Sequence, residues 1–171
     1  MQERVRLAQE EASSSVNTKQ VETDAIAKKL ATLNLTIKEI KPDGHCLYSA
    51  IADQLKDTSM DYTHIRKLAA EQLRIHAEDY LPFMTNDLGD MLSDDEFAVY
   101  CSKVECTAEW GGQLEVMALS KALSRQIHIV QMGSDVLKIG EDIIDPHPIM
   151  LSYHRHAYGL GEHYNSLVKQ Q

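Results

Sequence analysis

The apolar residues of this chain change their spacing once, near residue 125, and that change restricts the folds open to it. Before it they recur at three- and four-residue intervals, as one face of a helix requires. Leu47, Ala50, Ile51 and Leu55 form one such stripe, and Ile65, Leu68, Ala69 and Leu73 form the next. Phe97, Tyr100, Cys101 and Val104 make a third, and Leu114, Met117, Ala118 and Ala122 a fourth. After it come short apolar runs of strand length: Ile127 to Val130, Val136 to Ile139 after a Gly133-Ser134 turn, Pro148 to Tyr153, and His163 to Val168. Leu35 to Ile40, stopped by Pro42, is an earlier short strand. Helices first and strands later predict an α+β domain, with helices packed on a small, mostly antiparallel central sheet.

The helix boundaries carry their own signals. Ser93-Asp94-Asp95-Glu96 is a capping box that opens the third helix. Residues 79–92, broken by Pro82 and Gly89, are expected to form a long connection. Residues 1–20 are polar, with serines at 13–15, and are expected to be a mobile or helical lead-in. The domain proper then spans 21–171 and begins with a short helix, Thr23 to Leu33. No apolar run approaches the roughly 20 residues of a membrane span, and no signal-peptide centre follows the first residues. Three cysteines make no disulfide framework, so a reducing, cytoplasmic setting is expected. A net charge of −9 argues against nucleic acid and for a basic partner.

Asp43-Gly44-His45-Cys46 is the stretch most suggestive of chemistry. A thiol that attacks an acyl group must be partly thiolate, must be accessible, and must have a base beside it. Cys46 stands where a turn gives way to a helix, whose dipole favours the thiolate. The Asp43-Gly44 turn allows a tight bend, and the amides around Gly44 and His45 can face a developing oxyanion. The proposed base is His163, on a probable strand. Alternation there puts Asn165 on the same face and turns Tyr164 away, so Asn165 can orient the imidazole. This is the Cys-His-Asn logic of a cysteine hydrolase, cysteine early and histidine late.

Other cysteines and histidines have plainer explanations. Cys101 lies on an apolar stripe and belongs to a core. A zinc site combining Cys101 and Cys106 with His154 and His156 is disfavoured, because the histidines are too close together for the usual spacing. Those histidines are expected in a polar loop. Trp110 is expected to pack beneath the fourth helix. No metal, cofactor or membrane requirement is expected.

Asp43-Gly44-His45-Cys46-Leu47-Tyr48-Ser49-Ala50-Ile51 resembles the nucleophile motif of the OTU (ovarian-tumour) family of deubiquitinases. Ile65-Arg66, Trp110-Gly111-Gly112 and His163-Tyr164-Asn165-Ser166 follow in that family's order, so the resemblance covers about residues 35–168. Within the family, the chain is most similar to the subgroup of OTU domain-containing protein 6. The resemblance implies a papain-like fold and a ubiquitin-specific thiol protease that cleaves the isopeptide bond after ubiquitin's terminal glycine. The alternative is a ubiquitin-binding scaffold of the same fold without turnover. The expected partners are ubiquitin and polyubiquitin chains, and the expected state is a monomer. Carried over by position, Cys46 is the nucleophile, His163 the base and Asn165 its orienting residue. Asp43 also matches a site position and is expected to shape the oxyanion loop.

Glu109, Trp110, Gly111, Gly112, His154 and Tyr164 are the expected substrate contacts. The paired glycines would leave a channel for a slender Gly-Gly tail, and His154 to Gly161 would form a flap over it. Between Arg74 and Lys103 there is no cation, while seven acids stand there, Glu78, Asp79, Asp87, Asp90, Asp94, Asp95 and Glu96. With Leu81, Phe83, Met84, Leu88, Met91 and Leu92, this segment is expected to face the basic surface of ubiquitin.

Overall fold

The computed structural model describes residues 2–171, the side chains of residues 15 and 16 apart. Helix α1 runs Gln2–Leu33. It leads into β1 (Leu35–Lys38), then α2 (Cys46–Leu55) and α3 (Tyr62–Ile75). A short α4 (Ala77–Tyr80), α5 (Asp94–Cys106) and α6 (Gln113–Leu123) precede the remaining strands. These are β2 (Ile127–Val130), β3 (Leu137–Ile139), β4 (Ile149–His154) and β5 (His163–Lys169).

The five strands form one sheet in the order β1-β5-β4-β2-β3. Three of its pairings are antiparallel and one, β2 with β4, is parallel. The α+β class and the mostly antiparallel sheet expected from the sequence are therefore what the chain builds.

Alternation along the strands divides the apolar residues between two layers. Ile127, Ile129, Ile149 and Leu151 pack with α2, α3, α5 and α6 in the main core. Val130 and Leu167 face the other way and are covered by Ile26 and Leu30 of α1. Helix α1 differs from the sequence expectation in extent. It is continuous from Gln2, and the face it buries is Glu22, Ile26 and Leu30, with Leu33 exposed. That i, i+4, i+8 stripe starts with a carboxylate, which apolar patterning could not reveal.

The connection after α3 is also more ordered than composition suggested. It holds α4, a single 3-10 turn (Leu81–Phe83) and a bridge between Thr85 and Met91. The capping box of α5 forms as read, Ser93 and Glu96 each satisfying the other's backbone amide.

Candidate active site

The Asp43-Gly44-His45 turn delivers Cys46 as the first residue of α2. Two hydrogen bonds close the turn on itself: the His45 amide donates to Asp43 Oδ1 at 2.9 Å and the Cys46 amide to the Asp43 carbonyl at 3.2 Å. The Asp43 carboxylate therefore holds the loop and does not serve as the acceptor of the His163 imidazole. The amides of His45 and Cys46, expected to stand open to an oxyanion, are occupied by Asp43 in this arrangement.

Gly44 is buried against the segment that follows α5. A Cβ built on it would lie 1.7 Å from the Ala108 carbonyl oxygen, so no other residue fits without moving backbone. Arg66, the largest fully buried side chain, pins this contact from below. Its guanidinium donates to the carbonyls of Gly44 (2.8 Å), Val104 (2.8 Å) and Glu109 (2.7 Å), and its Nε donates to His45 Nδ1 at 2.9 Å. It also lies over the Tyr48 ring, 4.2 Å from the centroid. His45 is stacked on Tyr62, and burial together with Arg66 holds its imidazole below the ordinary range, neutral.

Cys46 is 2% exposed, against the sequence expectation of an accessible thiol. Burial pushes the Cys46 thiol up, while the backbone amides of Tyr164 and Leu47 pull it down, so the helix start does not by itself make a thiolate here. Helix α2 packs on β5, and Cys46 and Tyr164 belong to one buried cluster, which brings Cys46 beside the first residues of β5.

His163 and Asn165 share one face of β5, and His163 Nε2 lies 2.7 Å from Asn165 Oδ1. The same Oδ1 accepts the Ile40 backbone amide at 2.8 Å. A backbone N–H can only donate, so the atom facing it must be the carbonyl oxygen of Asn165 and not its NH2. Nε2 of His163 must then carry the hydrogen, and Nδ1 keeps the lone pair. Nδ1 is buried and has no partner among the described residues. Burial holds His163 below the ordinary imidazole value, with the Asn165 bond opposing, so the ring is neutral and basic at Nδ1.

The network continues to residues that the sequence did not single out. Asn165 Nδ2 donates to the Tyr158 hydroxyl at 2.7 Å, and that hydroxyl donates to Glu39 Oε2 at 2.8 Å. The Tyr158 ring lies against the His163 ring, tilted 41° to it with centroids 4.0 Å apart. Tyr158 lies in the glycine-bearing loop before β5, and Glu39 directly follows β1. Their positions were visible in the sequence, but their pairing across 119 residues was not.

Two expected substrate contacts are placed differently. His154 does not belong to the loop: it ends β4, is buried, and pairs Nε2 with Ser152 Oγ at 2.9 Å, so it presents no surface to a substrate. Trp110 does not pack beneath α6; it is 42% exposed. It lines a hollow of about 230 Å³ with Gly111, Leu160, Glu162 and Tyr164. Gly111 is tight for a structural reason, since a Cβ there would meet Leu47 Cδ2 at 2.5 Å. Gly112 caps α6 and gives its amide to Glu115. Tyr164 has its ring 4.9 Å from Tyr153, and Glu109 lends its carbonyl to Arg66 while its side chain faces solvent.

Trp110 also joins Leu88, Leu92, Val99 and Tyr100 in a larger open hollow of about 700 Å³, rimmed by Asp87, Asp95, Glu96 and Glu109. Of the seven acids between Arg74 and Lys103, Asp87, Asp95 and Glu96 line the hollow, and Lys103 lines it too. Among the described residues, Cys101, Cys106, His154 and His156 do not gather into a metal-binding group.

A sequence profile described as OTU-like cysteine protease matches residues 41–164, which contain Cys46, Arg66, Tyr158 and His163 and stop one residue short of Asn165. The chain belongs to this family. Among OTU relatives, it is 44% identical over 167 residues to human "Deubiquitinase OTUD6B", covering 96% of this chain and 57% of that protein. It is 46% identical over 165 residues to the chicken protein of the same name, covering 95% of this chain and 54% of that one. The chain thus spans a little over half the length of these curated relatives. The OTU fold is equally clear in solved structures. The "OTUD1 OTU domain" superposes with a TM-score of 0.68 at 20% identity, covering 90% of this chain and 98% of that one. An "Ovarian Tumor (OTU) domain in complex with Ubiquitin" does so with a TM-score of 0.61 at 21% identity, covering 78% and 69%. No helix among the described residues is long and apolar enough to cross a membrane.

Proposed function

We propose that this OTU domain is a thiol-dependent ubiquitinyl hydrolase that cleaves the isopeptide bond after the terminal glycine of ubiquitin. Residues 21–171 are its catalytic domain. The observation that carries this reading is the fixed tautomer of His163: Ile40 orients Asn165, Asn165 holds Nε2–H, and Nδ1 is left as a base in the corner where Cys46 lies. The names of the relatives, and the ubiquitin seated on related OTU domains, supply the substrate class.

With the thiol raised and the imidazole lowered by burial, the resting pair is neutral. His163 Nδ1 takes the thiol proton as Cys46 Sγ attacks the glycine carbonyl carbon. The electron pair moves onto the carbonyl oxygen, which competes with Asp43 for the amides of the 44–46 turn. Collapse of this intermediate breaks the C–N bond, and imidazolium returns its proton to the departing lysine amine. Water, deprotonated at Nδ1, then cleaves the thioester and restores thiol and imidazole. Asn165 keeps the ring oriented through both half-reactions.

The acidic hollow beside Trp110 holds the body of ubiquitin, and the smaller one beside Gly111 and Tyr164 takes its tail. Polyubiquitin chains are the natural substrates, and the domain works as a monomer in the cytoplasm. The test is a ubiquitin probe with an electrophilic C-terminus, followed by a panel of di-ubiquitin linkages. The wild-type chain becomes covalently attached at Cys46 and Cys46→Ala does not. Folded wild-type protein that forms no adduct at any pH in the neutral range overturns the reading.

A further inference from the structure

Glu22 is a charged residue where the packing of α1 calls for an apolar one. It is 1% exposed and stands one turn before Ile26 on the buried stripe. A carboxylate is buried at tolerable cost only when its oxygens are fully hydrogen-bonded. Three backbone amides from the far end of the chain satisfy it: Arg155 N–H to Oε2 at 2.9 Å, and His156 and Ala157 N–H to Oε1 at 3.0 and 3.1 Å. Those three residues follow β4 directly, and the next residue is Tyr158, whose ring packs at a tilt against His163 and whose hydroxyl bridges Asn165 and Glu39.

We infer that Glu22 is a positioning residue for the proposed hydrolysis: by gripping the amides of residues 155–157 it seats Tyr158, and through Tyr158 it holds Asn165 and His163 in register. The inference rests on the hydrolase reading given above. Glu22 touches neither substrate nor the reacting atoms. Its neighbours on the stripe, Ile26 and Leu30, pack in the smaller cluster under α1, apart from the main core of α2, α3, α5 and α6. It makes α1 part of the support of the active site, although α1 lies outside the matched OTU segment of residues 41–164.

The full chain carrying Glu22→Ala, Glu22→Gln or Tyr158→Phe is compared with wild type and with Glu11→Ala, an exposed site on the same helix. In Glu22→Ala the amides of residues 155–157 exchange hydrogen faster while those of α2 and β5 keep their protection. The nitrogen NMR signals of His163 lose the single Nε2–H tautomer, and kcat falls by about 10- to 100-fold with KM little changed. Glu22→Gln, which keeps an acceptor oxygen, recovers part of each effect. Tyr158→Phe lowers kcat but leaves the exchange of 155–157 as in wild type, and Glu11→Ala changes nothing.

Unchanged exchange at 155–157, an intact His163 tautomer or an undiminished kcat in Glu22→Ala overturns the inference. So does faster exchange throughout the domain, which is general destabilisation. If wild type forms no adduct with the ubiquitin probe, the hydrolase reading fails. The exchange and tautomer measurements still decide whether Glu22 seats Tyr158 and orders His163.

Discussion

Around His163, a chain of polar side chains runs inward from the surface and each names its neighbour: exposed Glu39 holds half-buried Tyr158, Tyr158 holds buried Asn165, and Asn165 holds the imidazole. Between Thr85 and Glu96 the chain does the opposite. Leu88 is 85% exposed, Met91 also faces solvent, and the loop is closed only on itself, by the Thr85–Met91 bridge and the bonds of Asn86 to Leu88, Gly89 and Asp90. The first region has spent its hydrogen-bonding capacity internally, His163 Nδ1 and His154 Nδ1 apart, and can hold one geometry. The second keeps apolar groups and acids such as Asp87 and Asp95 turned outward, Glu96 alone being tied into the cap of α5, as a surface that meets a partner must. Rate should therefore be set in the buried corner and affinity in the arm.

The largest effects are expected where the corner has no slack. Gly44→Ala must push the loop off Ala108, at a cost of about 1–3 kcal/mol in stability. Turnover should fall to background while ubiquitin binding, measured by titration calorimetry with the catalytic cysteine also replaced, persists. Loss of binding as well would merge the two regions. Arg66→Ala leaves several buried carbonyls without a donor and should destabilise the domain by about 3 kcal/mol or more, read as a fall in Tm.

Asn165→Ala frees the His163 ring and should lower kcat by about 10- to 100-fold with KM unchanged, in steady-state kinetics on a fluorogenic ubiquitin substrate. In the arm, neutralising Asp87, Asp95 and Glu96 together should raise KM a few-fold and flatten its dependence on salt, with kcat untouched. A kcat effect there would break the division.

The smallest effect concerns pH. His45, His154 and His163 are all held below the ordinary imidazole value of 6.5, chiefly by burial. As pH falls below that value the unfolded chain binds these protons first, so denaturant stability should decline from there downward and stay flat above it.

Most strand positions, and the His163–Asn165 pair, were legible because alternation with period two is a local property of sequence. The start of α2 at Cys46 was legible for a similar reason, the Asp43-Gly44 turn. What escaped is what depends on distant partners. Arg66 sits on a stripe of apolar residues, and only the carbonyls of Gly44, Val104 and Glu109 explain its burial. Glu22 is explained only by the amides of 155–157, more than 130 residues away. The burial of Cys46 and of His154, and the exposure of Trp110, follow from which elements close over them, and no local pattern records that.

Helix α1 carries this one step further. Residues 2–21 extend it by about 30 Å beyond the stripe that docks on the sheet. The helix is unbroken from that exposed portion to Glu22, so it is a stiff rod anchored by a short docked stretch. Whatever grips or bends the rod applies torque at Glu22 and hence at the loop that seats Tyr158. A tether, a fusion or a bound protein at the far end would be felt as a change of reaction rate without ever approaching the sulfur.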